Sequence, residues 1–144
     1  MTESSPTREL LGHVLLPVAN EEDALETALA LETYDPDQVT VVHVVEKGEG
    51  APDKTPVEHS KEVAAGAYRA VQGVFPDADT ETAYARDVVT AIFEVAEAVD
   101  ASAVAYRPRK GNRLVRFLSG DRSLKLVTEA DRAVIVLPRA ESNG

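Results

Sequence analysis

Short, almost wholly apolar runs alternate along this chain with longer segments of helical period, and that alternation restricts the fold more than any other feature. Val14-Leu15-Leu16-Pro17-Val18 is continuously apolar, the pattern of a strand buried on both faces. Asn20 can cap a helix, with Asp23 three residues on, and Ala24, Leu25, Ala28, Leu29 and Leu31 follow at helical spacing until Tyr34-Asp35-Pro36-Asp37 breaks it. Val39 to Val45 reads as a second strand, and 48–56 as a Gly- and Pro-containing loop. Val57 to Val74 is an Ala-rich helix closed by Phe75-Pro76-Asp77, and Thr80 to Ala85 alternates in character, as an edge strand does. Asp87 caps a helix from Val88 to Val99, and Ala101 to Tyr106 is a fourth strand. Arg107 to Phe117 is a loop, Ser119 or Gly120 opens a last helix to about Ala130, and Ala133 to Leu137 is a fifth strand stopped by Pro138. Five strands in strict alternation with four helices imply an α/β fold. With right-handed crossovers this is a doubly wound, Rossmann-like or flavodoxin-like parallel sandwich. At 144 residues the chain fits one domain, expected over 9–139 with flexible tails at 1–8 and 140–144.

Composition narrows the function classes. There is no apolar run near the ~20 residues that span a bilayer, and the polar start of the chain has no secretory pattern, so a cytoplasmic protein is expected. Absence of cysteine removes disulfides, thiolate chemistry and Cys-based metal sites. His13, His43 and His59 are not paired at a metal-ligand spacing, which removes the common zinc hydrolases and leaves no metal site to name. The net charge is −10, with 5 Lys against 10 Arg. Such a field repels nucleic acid and anionic membranes, so neither is expected as a partner. An acidic, Lys-poor, Ala- and Val-rich composition suits a protein of high-salt (halophilic) surroundings; an ordinary acidic bacterial protein is the other reading.

Several segments resemble the universal stress protein family, over about Gly12 to Arg139. His13-Val14-Leu15-Leu16-Pro17-Val18 looks like that family's opening strand, and Val42-His43-Val44-Val45 like its second. Ala91-Ile92-Phe93-Glu94-Val95-Ala96 with Asp100-Ala101 looks like its third helix and the approach to strand four. Phe117-Leu118-Ser119-Gly120 looks like the entry to its last helix, and Ala133-Val134-Ile135-Val136-Leu137 like its closing strand. The resemblance implies strand order 3-2-1-4-5 and homodimers formed through the last strand, Ala133-Leu137. An apolar edge strand is in any case a surface that proteins cover.

Ligands of such a sheet bind beyond the carboxyl ends of the strands, where the strand order reverses. ATP-binding members of the family carry Gly-x-x-Gly-x9-Gly-Ser/Thr there, because glycines let backbone N–H groups approach phosphates at a helix N-terminus. Aligned on Gly120, the first two glycine positions fall on Arg107 and Lys110, the hydroxyl position on Asp121, and the family's nucleoside-contacting aspartate on Ala19. A one-residue slip makes Gly111 the second glycine but does not restore the first. The motif is absent, so no ATP and no other cofactor is expected.

The same loop has a charge of its own. Residues 107–125 hold seven basic groups (Arg107, Arg109, Lys110, Arg113, Arg116, Arg122 and Lys125) and one acid, Asp121. Arg grips phosphate and carboxylate with a two-pronged fork, in place of backbone N–H groups. One reading is a small anionic ligand on Arg107, Arg109, Lys110 and Arg113 over the helix that starts at Gly120 and Asp121. The other is a solvated basic loop that pairs with the acidic surface, in exposed pairs of little individual worth. His43 reads as a hydrogen-bonded core histidine. Asp87, Asp100 and Asp131 read as caps and turns, and Ser119, Ser123 and Thr128 have no His base nearby in sequence. Tyr106 either stacks on a ligand or packs against the following loop.

Residues and resemblance together imply a non-catalytic stress-response or regulatory module, not an enzyme, acting as a homodimer without ATP. The alternative is an anion or nucleotide-metabolite sensor using loop 107–116 and the helix from Gly120. A further alternative, an ATP-binding member with slow hydrolysis, needs a metal-binding acid beside the phosphates, where Ala19 stands.

Overall fold

A computed structural model describes residues 9–46, 57–107 and 121–138. The expected tails, the 48–56 loop and most of the 107–117 loop lie outside the described residues. The elements follow in the order β1 (Val14–Pro17), α1 (Glu21–Glu32), β2 (Val39–Glu46), α2 (Val57–Val74), β3 (Asp79–Ala85), α3 (Val88–Ala98), β4 (Ala103–Tyr106), α4 (Asp121–Thr128) and β5 (Ala133–Val136). The strands form one sheet in the order β3-β2-β1-β4-β5, and every pairing is parallel. This is the expected architecture, in the expected order.

Strand periodicity divides the core in two. Leu16 and Val18 point to one face, with Val41 and Ala105, and pack under α1 and α2 against Ala24, Ala28, Leu31, Ala67 and Val71. Leu15 points to the other face, with Val42, Val104 and Tyr106, and packs against Val88, Ile92 and Ala96 of α3 and Leu126 of α4. Every residue of β1 and β4 is buried. Leu15, Leu16, Leu31 and Ile92 are wholly so, and each stabilises the fold by about 1.5–3 kcal/mol relative to exposure. The α1–α2 pair is close enough that a Cβ on Gly66 would lie 3.1 Å from Glu21 Oε1.

Helix ends follow the residues that close them. Asn20 Oδ1 accepts from Asp23 N–H at 2.8 Å and starts α1. Asp87 Oδ1 accepts from Thr90 N–H at 3.2 Å and starts α3. At the far end of α3, Asp100 takes a left-handed conformation (φ 59°). There Ala101 N–H reaches Ala96 O at 2.9 Å and Asp100 N–H reaches Glu97 O at 3.1 Å, a Schellman closure built without glycine. That closure explains why β4 begins at Ala103 rather than at the expected Ala101. Ala101 ends the turn, and Ser102 ties its N–H to His13 O at 2.7 Å and its hydroxyl to His13 N–H at 2.9 Å.

Arg132 strengthens the same corner. Its Nη1 donates to Ala101 O at 2.7 Å and Ala96 O at 3.3 Å, placing a cation on the C-terminal carbonyls of α3. Its Nε donates to Asp131 Oδ1 at 2.9 Å, which holds the Asp131 carboxyl below its ordinary range. Asp87, Asp100 and Asp131 are therefore cap and turn residues, as the sequence suggests.

Candidate functional site

The strand order reverses at β1, whose successors in sequence lie on either side of it. The crevice this creates opens at the carboxyl ends of β1 and β4, between the Val18-Ala19-Asn20 turn and Arg107. The turn is closed by its own chain. Ala19 N–H donates to Asp23 Oδ2 at 2.8 Å, and Asp23 also accepts from Thr27 Oγ1 at 3.5 Å. A buried carboxylate thus stands close behind Ala19, but it answers to its own helix.

Arg107 follows the last residue of β4. Strand alternation carries Ala105, and therefore Arg107, to the α1 side of the sheet, while Tyr106 turns the other way. Its side chain is only 6% exposed, and Nη2 donates to Glu26 Oε1 on α1; the Glu26 side chain is 38% exposed. Arg107 Nε is buried and has no hydrogen-bond partner. At the position that the resemblance sets against the first glycine of the ATP pattern, a guanidinium stands between β4 and α1. Glu26 went unforeseen. It lies 81 residues away in sequence and carries no motif; only the alternation of β4 signals that residue 107 must look toward α1.

The other expected site residues divide as follows. Arg109, Lys110, Arg113 and Gly120 lie outside the described residues, and Asp121 is the first residue of α4. Lys125, at the far end of the basic segment, donates from Nζ to Asp87 Oδ2 at 2.7 Å, tying α4 to the start of α3. That hydrogen bond is the main reason the Asp87 carboxyl sits below its ordinary range and the Lys125 ammonium above its own. Tyr106 is buried against Leu15, Val104 and Leu126, so it packs in the core and presents no ring to a ligand.

His43 is buried with Nδ1 3.3 Å from Val18 O, directly behind the β1 turn, which makes it the core histidine the sequence suggests. Burial lowers its pKa, against an opposing pull from the Val18 carbonyl. His13 lies at the opposite end of the sheet, with Nε2 2.7 Å from Thr40 Oγ1. Burial lowers its pKa too, opposed by Asp79 and Asp100. Among the described residues no group of three or more His, Asp or Glu side chains could hold a metal ion. A cleft of about 290 Å³ lined by Glu97, Asp100, Ala101, Ser102, Asp131 and Arg132 opens at the amino ends of β4 and β5, away from the crevice. No described helix is long and apolar enough to cross a membrane.

Comparison with solved structures sets this geometry in context. A universal stress protein from Archaeoglobus fulgidus superposes with a TM-score of 0.64 at 19% identity, over 88% of this chain and 98% of that one. The fold is that of the universal stress proteins. The Archaeoglobus fulgidus protein in complex with dAMP matches with a TM-score of 0.63 at 20% identity, covering 90% and 99% of the two chains. The universal stress protein UspA from Lactobacillus plantarum matches at 0.59 and 19%, covering 90% and 99%. No known family profile and no curated protein matches the sequence. At these identities the likeness speaks for the universal stress fold, and the contents of the crevice have to be argued from the residues of this chain.

One buried imidazole, His43, and one half-buried, His13, give a test of the packing. Because both folded pKa values are lowered, the unfolded chain binds protons more readily as pH falls below 6.5, the ordinary value. The two rings should therefore titrate below 6.5 in an NMR experiment. Relative to a His43→Gln variant, the parent should lose stability as pH falls through 6.5. A His43 ring that titrates at or above its ordinary value contradicts this packing.

Proposed function

We propose that this chain is a non-catalytic regulatory module of the universal stress type that does not bind ATP. The observation behind this reading is Arg107. A buried side chain, turned onto Glu26, stands where a nucleotide-binding loop needs bare backbone. Ala19 supplies no carboxylate for a nucleoside, and the two acids nearest the crevice, Asp23 and Glu26, are engaged by Ala19 N–H, Thr27 and Arg107. A slow hydrolase would need one of these acids released to hold a metal. The neighbour solved in complex with dAMP makes Mg-ATP the ligand to try.

A second reading, a sensor of small anions, is favoured by the unpartnered Arg107 Nε at the mouth of the basic segment that includes Arg109, Lys110 and Arg113. In both readings the chain acts as a homodimer through β5. That strand is an edge of the sheet, and its Val136 is 52% exposed. Pairing with a second copy would cover that edge.

Two measurements test this. Melting with and without Mg-ATP should give superimposable curves. Binding at a hundredfold excess over Kd would raise Tm by roughly 5 °C or more, and such a shift would contradict the reading. Val136→Lys should convert the dimer to monomer in sizing chromatography with light scattering. A dimer that survives the substitution places the contact elsewhere.

A further inference from the structure

Arg107 is the only buried cation among the described residues. The side-on edge of its guanidinium offers two parallel donors, Nε–H and Nη2–H, spaced to receive two oxygens of one anion. Only half of that edge is satisfied. Glu26 Oε1 accepts from Nη2, while Nε is buried and unpartnered. A buried donor without an acceptor is costly, because it has given up water and gained nothing in exchange. The two partners also differ in exposure. Arg107 is enclosed at 6% exposure, whereas the Glu26 side chain is 38% exposed.

We propose that Arg107 is an oxyanion-binding residue and that Glu26 is its resident surrogate, displaced when a true ligand presents two oxygens to Nε and Nη2. The ligand class is a phosphate-type or carboxylate-type anion, whether a free ion or the phosphoryl end of a larger molecule. The exchange is one of acceptors only, with no covalent step. It deepens the anion-sensing reading above and rests on it. Glu26 sets the threshold: an entering anion must outcompete a tethered carboxylate, so binding of weak or single-oxygen anions is suppressed. The swing of Glu26 away from β4 carries the signal to α1.

The test uses the full chain, with inorganic phosphate as the probe and chloride holding ionic strength constant. The Arg107 Nε–H resonance is followed by NMR in the parent and in Glu26→Gln, which removes the competing charge and keeps the shape. Phosphate should move that resonance in both proteins, and Glu26→Gln should bind about tenfold more tightly. Arg107→Lys, which keeps the charge and loses the fork, should abolish the phosphate response. Should that variant not fold, the Glu26→Gln comparison decides alone. AMP and acetate run in parallel identify the source of the oxygens: a response to AMP stronger than to phosphate supports a phosphoryl group on a larger ligand, and a response to acetate supports a carboxylate. An Nε–H resonance unmoved by all three probes in Glu26→Gln, or equal affinities in the two proteins, overturns the proposal. Stabilisation by Mg-ATP with the resonance following phosphate would instead overturn the reading that ATP is not bound, and leave the oxyanion fork standing.

Discussion

Burial of β1 on both faces governs the rest of the molecule. Its four residues are buried, Val14, Leu15 and Leu16 wholly so, flanked by parallel neighbours on either side and covered by helices above and below. A strand so placed must feed α1 to one face while α3 and α4 take the other, and a crevice is left at its carboxyl end. The same alternation runs through β4. Ala105 and Arg107 look toward α1, and Tyr106 looks toward α4. The chemistry of the crevice is therefore decided by parity. A substitution at position 107 changes what α1 meets, and one at position 106 changes the opposite core.

The architecture was legible because its causes are local. Continuous apolar runs mark strands that two layers cover, and the alternating run at Asp79–Ala85 marks the edge, where the side chains prove largely exposed. Asn20 and Asp87 start helices by accepting from backbone three residues on, so their roles can be read in place. The early start expected for β4 failed for a reason that sequence does not display. Ala101 is consumed by a Schellman closure that turns on Asp100, a non-glycine residue in the left-handed conformation, and Ser102 by His13, a contact brought by the fold.

The crevice was legible only in part. The residues that the resemblance sets against the ATP pattern, Arg107, Lys110, Asp121 and Ala19, can be read off the sequence, but the contact of Arg107 cannot, since its partner Glu26 belongs to a distant helix and forms no motif with it. Tyr106 shows the same limit. In sequence it stands where a ring could stack on a ligand, yet strand alternation turns it into the core. Charges in the basic segment were expected either to hold a ligand or to balance the acidic surface. The two whose partners are described do the second in the resting molecule, Arg107 with Glu26 and Lys125 with Asp87. These pairs differ in kind. The Asp87–Lys125 pair is well exposed on both sides and adds little to stability, whereas Arg107 is enclosed and depends on its acid for neutralisation.

Arg107 and Glu26 form one coupled unit between β4 and α1. A double-mutant cycle measures it most directly, comparing the stabilities of the parent, Arg107→Met, Glu26→Gln and the double variant by denaturant unfolding. The account predicts a coupling free energy of about 1 kcal/mol or more, with Glu26→Gln costing far less once Arg107 is gone. Additive effects, with a coupling indistinguishable from zero, would contradict it.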